Sequence, residues 1–156
     1  MYLIGDIGNT EIKVCLINNH YKIIKKISFP NNSISLIKLK KIFNQLKKYF
    51  PEIKKILFCS VVPKSFKLIK SFLRYEYKID CIEIKSLDLS SIINIKVNYK
   101  QVGSDRLVNA ISLINHNKNY IIIDLGTATT FDVIINKQYI GGIIAPGIKI
   151  SLKTLS

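Results

Sequence analysis

Two short stretches put a carboxylate, a glycine and a hydroxyl at the ends of apolar runs: D-I-G-N-T at 6–10 and D-L-G-T-A at 124–128. A strand needs none of these polar residues, and Gly followed by Asn ends a strand in a turn. N–H groups in a tight glycine turn cradle phosphate oxygens. A carboxylate beside them would repel phosphate unless a cation lies between, so Asp6 and Asp124 imply Mg2+, bound directly or through water. Thr10 and Thr127 add a hydroxyl to each turn. Facing each other across a cleft, two such turns would embrace a nucleotide's phosphates from both sides. Two Asp/Gly turns that end strands and bind nothing are the structural alternative.

A third stretch, V-G-S-D-R-L-V-N-A at 102–110, puts Asp105 and Arg106 after a glycine at a helix start, with Ser104 as a candidate cap. An Asp in a first turn is ordinarily a dipole partner. Its chemical reading is a general base, because phosphoryl transfer needs a group to accept the proton of the attacking hydroxyl. Arg106 suits a carboxylate on the acceptor as a bidentate partner; a surface salt bridge is its plainer reading. A fourth stretch, G-G-I-I-A-P-G at 141–147, lets backbone approach a ligand closely, or simply turns a strand tightly into a helix.

Hydropathy patterning places these stretches. Strands are expected over 2–7, 11–17 and 21–27, a helix over 34–49 capped near Ser33, a buried strand over 54–62, and a helix from Pro63 to about Tyr75. A strand over 79–84 follows, then a polar connection with one short strand around 92–97 and a helix over 104–116. Strands over 119–124, 129–135 and 139–144 and an opening helix complete the series. The order βββαβαβα, then βββ and α again, is an internal repeat. Asn18 and Asn136 lie twelve residues after Asp6 and Asp124, and Tyr21 and Tyr139 lie fifteen after, each expected to open a third strand. The fold class is α/β with a duplicated unit, divided as 1–117 and 118–156, the second incomplete.

Composition narrows the partners. The 156 residues are 48% hydrophobic, enough for a core. No apolar run reaches the roughly 18 residues of a membrane helix. Asp6 interrupts the opening apolar stretch and no small-residue cleavage site follows, so the chain does not read as carrying a signal peptide and is expected in the cytoplasm. The net charge of +14 comes from 22 lysines and only 2 arginines. The lysines are scattered over polar faces, whereas a selected phosphate-backbone patch favours arginine, so no nucleic acid and no membrane partner is expected. Cys15, Cys59 and Cys81 lack metal spacing and read as buried thiols; His20 and His116 are isolated.

D-I-G-N-T near the start, G-x-D-R before a helix, D-L-G-T-A-T-T-F-D-V and G-G-I-I-A-P-G, in this order, resemble type III pantothenate kinase. That family belongs to the superfamily of acetate kinases, sugar kinases, Hsp70 and actin, whose ribonuclease H-like duplicated domain matches the repeat. The resemblance spans essentially the whole chain and implies ATP-dependent phosphorylation of pantothenate, the first step towards coenzyme A. It implies that Asp6, Ile7, Gly8, Asn9, Thr10, Glu11, Ile12 and Lys13 bind ATP phosphates, with Asp6 near Mg2+ and Thr127 touching ATP. Tyr99, Gly103, Ser104, Asp105 and Arg106 would hold pantothenate, Arg106 against its carboxylate, and Asp105 would accept the proton of its hydroxyl. Asp124 would contact the monovalent cation, K+ or NH4+, that the family uses, and the protein would be a homodimer. Ser104 departs from the family's usual alanine. Family members also run well past position 156, so a fragment or an inactive relative with a regulatory or interaction role is the alternative.

Overall fold

The structure is a computed structural model that describes residues 1–114 and 118–154. His116, and the end of the helix expected to reach it, lie outside the described residues. The chain folds as two compact units, Met1–Leu87 and Asp88–Ser156.

The first unit carries one five-stranded sheet. β1 (Tyr2–Ile7), β2 (Glu11–Ile17) and β3 (Ile23–Pro30) form an antiparallel meander. α1 (Leu36–Asn44) leads to β4 (Lys55–Ser60), and α2 (Pro63–Tyr77) to β5 (Cys81–Glu83). The sheet order is β3-β2-β1-β4-β5, with β1, β4 and β5 parallel. Strict alternation in β2 turns Ile12, Val14 and Leu16 inward and Glu11 and Lys13 outward. These side chains meet Leu39, Ile42 and Phe43 of α1 and Ile69, Phe72 and Leu73 of α2. Burying each is worth roughly 1.5–3 kcal/mol, so apolar burial is the main force holding the helices on the sheet. Gly5 is required by packing: a Cβ there would lie 2.1 Å from Cε1 of Phe58, its partner on β4.

Several element ends differ from expectation for local reasons. Ser35, not Ser33, caps α1, accepting from the Lys38 amide at 3.3 Å. α1 stops at Asn44, and Lys47–Glu52 forms a separate 3-10 turn containing Pro51, which cannot continue an α-helix. Tyr21 does not open β3; it sits in the preceding turn at φ +58°.

The second unit carries a four-stranded sheet of order β6-β9-β8-β7, from β6 (Asn94–Ile95), β7 (Tyr120–Leu125), β8 (Ala128–Ile135) and β9 (Gln138–Pro146). α3 (Ser104–Leu113) packs Leu107 and Ala110 against Ile134 of β8 and Tyr139 of β9, and α4 (Ile148–Thr154) follows β9. The helix counted with the first repeat thus folds onto the second sheet. The compact boundary falls at Leu87/Asp88, whereas the division expected from the repeat lies at 117/118.

The two hairpins are not superimposable copies. Ile7 pairs with Ile12 across a loop of 8–11, but Leu125 pairs with Thr129 across the shorter loop of 126–128. A one-residue change of register turns every side chain of a strand to the other face. Val14 therefore shares a face with Gly5, Leu3 and Ile7, whereas Asp132, its counterpart by chain offset, shares a face with Ile122 and Asp124. The Tyr pairing of the repeat fails in the same way: Tyr21 is 77% exposed and Tyr139 fully buried.

Candidate active site

In the first unit, parallel pairing with β4 sets Cys59 beside Asp6, and the Cys59 thiol donates to Asp6 Oδ1 at 3.4 Å. The turn after Asp6 closes through the Gly8 amide, which donates to the Glu11 carbonyl at 3.0 Å. Buried Asn31 braces this turn. Its Nδ2 donates to the Gly8 carbonyl at 2.7 Å, its amide donates to the Thr10 carbonyl at 2.9 Å, and its Oδ1 accepts from Ser65 Oγ at 2.6 Å. Asn9, Thr10, Glu11 and Lys13 are exposed around it. Ile7 and Ile12 are fully buried, so their side chains belong to the core and only their backbone can serve a ligand. The Glu11–Lys13 ion pair at 3.8 Å is exposed and contributes little.

In the second unit, Gly103 occupies the cap position of α3 with an extended backbone, and Ser104 is the first helical residue, buried at 1% exposure. The expected Ser104 cap is therefore displaced by one position. Asp105 stands in the first turn, half-buried, and its Oδ1 accepts from the Arg106 amide at 2.8 Å. Arg106 is buried against β8. Its Nε donates to Asp132 Oδ1 at 2.8 Å, and its Nη2 lies 2.6 Å from the same oxygen. Tyr139 donates its hydroxyl to that oxygen at 2.5 Å. Burial alone would lower the Arg106 pKa, but the hydrogen bond and charge of Asp132 overcome it and raise it, so the guanidinium stays charged. Burial, then the hydrogen bond to Asp132, hold the Tyr139 phenol well above its ordinary range, so it remains a donor.

One turn along α3, Asn109 Nδ2 donates to Asp124 Oδ2 at 3.1 Å, tying the end of β7 to the helix. Thr127 is exposed in the short loop that follows. Gly147 lets the start of α4 pass against that loop, since a Cβ there would stand 2.3 Å from the Thr127 carbonyl oxygen. Tyr99 is half-buried in a 3-10 turn, Tyr99–Gln101, against the core of this unit.

Within the second unit, then, Gly103, Ser104, Asp105, Arg106 and Asp124 gather on and against α3. The sequence did not single out Asn31 or Asp132, and it marked Tyr139 only as a repeat position opening a strand. Asp132 lies between Phe131 and Val133 in the apolar half of β8, and a charged residue at such a position was the available signal. Among the described residues no three His, Cys, Asp or Glu side chains group as a metal cage. The Asp6 turn still suits Mg2+, which is commonly held by one or two carboxylates plus substrate phosphates.

The family model for type III pantothenate kinase matches residues 2–156. The chain belongs to this family. It is 54% identical over its whole length to a type III pantothenate kinase of Pelagibacter ubique and 35% identical, over 99% of its length, to one of Ehrlichia canis. It spans 63% and 62% of those relatives. Solved structures share the fold at low identity. A Campylobacter jejuni protein described as a Baf family transcriptional activator matches at TM-score 0.51 and 21% identity, over 97% of this chain and 58% of that one. The ethanolamine utilization protein EutJ of Carboxydothermus hydrogenoformans matches at 0.53 and 12%, over 94% and 52%.

Proposed function

We propose that the protein to which these residues belong transfers the γ-phosphoryl group of ATP to pantothenate, giving 4'-phosphopantothenate at the start of coenzyme A biosynthesis. The observation that carries this reading is the start of α3, where a half-buried Asp105 stands beside a buried, charged Arg106 after Gly103. In this reading the pantothenate hydroxyl oxygen attacks the γ-phosphorus and its proton passes to Asp105. The bond from that phosphorus to the bridging oxygen breaks, and ADP leaves. Gly103, Ser104 and Tyr99 shape the pantothenate site. Arg106 has five N–H donors; the one on Nε is taken by Asp132, and donors left over are offered to the pantothenate carboxylate. Asp6 to Lys13 and Thr127 hold ATP. Mg2+ at Asp6 would neutralise phosphate charge, and K+ or NH4+ would sit at Asp124. The reading includes a homodimer acting in the cytoplasm, with no nucleic acid or membrane partner; among the described residues no helix is long and apolar enough to cross a membrane.

A second reading is an inactive relative or a fragment with an interaction role; the chain spans 63% of its Pelagibacter relative. Pantothenate-dependent ADP release by the 156-residue chain, with Mg2+ and K+ saturating, separates the two. Turnover supports the kinase, and a folded chain without turnover supports the second reading. Asp105→Asn is expected to lower turnover by about 100-fold or more with ATP affinity unchanged, and wild-type turnover in that variant would remove Asp105 as the base.

A further inference from the structure

Arg106 and Asp132 make an end-on pair. Nε donates to Oδ1, which also takes the Tyr139 hydroxyl; Nη2 lies 2.6 Å from the same oxygen, and both Nη2 and Oδ2 are buried without a hydrogen-bond partner. Guanidinium–carboxylate pairs optimised for strength run two parallel bonds to two oxygens. Gly142 lies beside the pair: a Cβ there would stand 1.9 Å from the Phe131 carbonyl oxygen and 2.7 Å from Nη2. Buried ion pairs can be replaced by apolar residues without loss of stability, so stability alone does not account for this one. Asp105 is the neighbour of Arg106 in the first turn of α3, and its Oδ1 accepts from the Arg106 amide at 2.8 Å.

We infer that Asp132, backed by Tyr139, is a positioning residue that holds the Arg106 guanidinium against β8 and so sets how much of its positive charge reaches Asp105. The inference rests on the reading of Asp105 as proton acceptor. A carboxylate closely paired with a guanidinium is a weaker base. Released from Asp132, Arg106 would turn towards Asp105 and weaken it as a proton acceptor. Arg106 on α3 faces Asp132 on β8 and Tyr139 on β9, and Asp124 on β7 is held by Asn109 one turn along α3 from Asp105.

The test is NMR on the 13C- and 15N-labelled 156-residue chain. In Asp132→Asn, the carboxyl signal of Asp105 is expected to titrate about one pH unit lower than in the wild type. An Asp105 titration that stays put, or moves up, overturns the inference. Should that variant not fold, the wild type decides. Its two arginines give two Nε–H signals, and that of Arg106 is expected to exchange slowly beside that of the exposed Arg74. Equally fast exchange of the two overturns the inference. In protein that turns over pantothenate, the acid limb of the kcat profile of Asp132→Asn moves down with the titration. A wild-type chain that releases no pantothenate-dependent ADP fails the proposed function, and the titration still decides the positioning.

Discussion

Tyr139 shows how one side chain ties chemistry to stability. Its hydroxyl donates to the buried carboxylate that grips Arg106, and its folded pKa is raised by burial first and by that bond second. A phenol with a raised folded pKa stabilises the native state fully below its unfolded value of about 10 and loses that contribution as the pH climbs beyond it. Tyr139→Phe is therefore expected to unfold more easily at pH 7, by about 1.5–3 kcal/mol for a hydrogen bond to a charged group. The gap should narrow above about pH 10, where only the wild type has this phenol to ionise. Denaturant midpoints of both proteins from pH 7 to 11 check this; a constant gap would detach Tyr139 from Asp132. At this scale the sequence was only partly legible. Asp105 and Arg106 stand out because a glycine and a helix start surround them. Asn31 does not, since it lies in what reads as a polar loop, and only the fold brings it under the Gly8 turn.

At the scale of elements, periodicity carried most of the strands and helices, and turn chemistry decided where it failed. β2 alternates so regularly that its inward face, Ile12, Val14 and Leu16, could be named without coordinates. The second hairpin could not be read by analogy with the first, because its loop is one residue shorter and the faces exchange. That exchange turns Asp132 towards α3, where Arg106 meets it. The end of α1 was obscured by apolar residues at helical spacing, Leu46 and Tyr49, that continue past Asn44. Its beginning is set by the Ser35 side chain, which satisfies an amide at the helix start. Ser35→Ala is expected to cost about 1 kcal/mol, read from urea unfolding, with Ser33→Ala nearly silent on α1. Equal effects at both positions would return the cap to where the sequence suggested it.

At the scale of the whole molecule, equivalent strands of the two units live in different surroundings. β1 is flanked by β2 and β4, and its Leu3 and Ile7 are fully buried beneath α1 and α2. β7, its counterpart, has β8 on one side and is the edge of its sheet. Ile121 and Leu125, which match Leu3 and Ile7, are 71% and 65% exposed, with Ile123 and Ile143 open on the same face. The sequence repeat makes this legible only as an expectation of burial, since the apolar pattern is the same in both strands. An apolar face bordered by an open strand edge attracts other apolar surfaces and other edges. The 156-residue chain is therefore expected to enhance the fluorescence of a hydrophobic dye and to self-associate as its concentration rises. Replacing Ile121 and Ile123 together by Lys should suppress both effects while leaving the far-ultraviolet circular dichroism unchanged, because neither side chain belongs to the core beneath α3. Dye binding that survives the double replacement would move the sticky surface away from β7, towards the exposed Leu36 and Ile37 of α1.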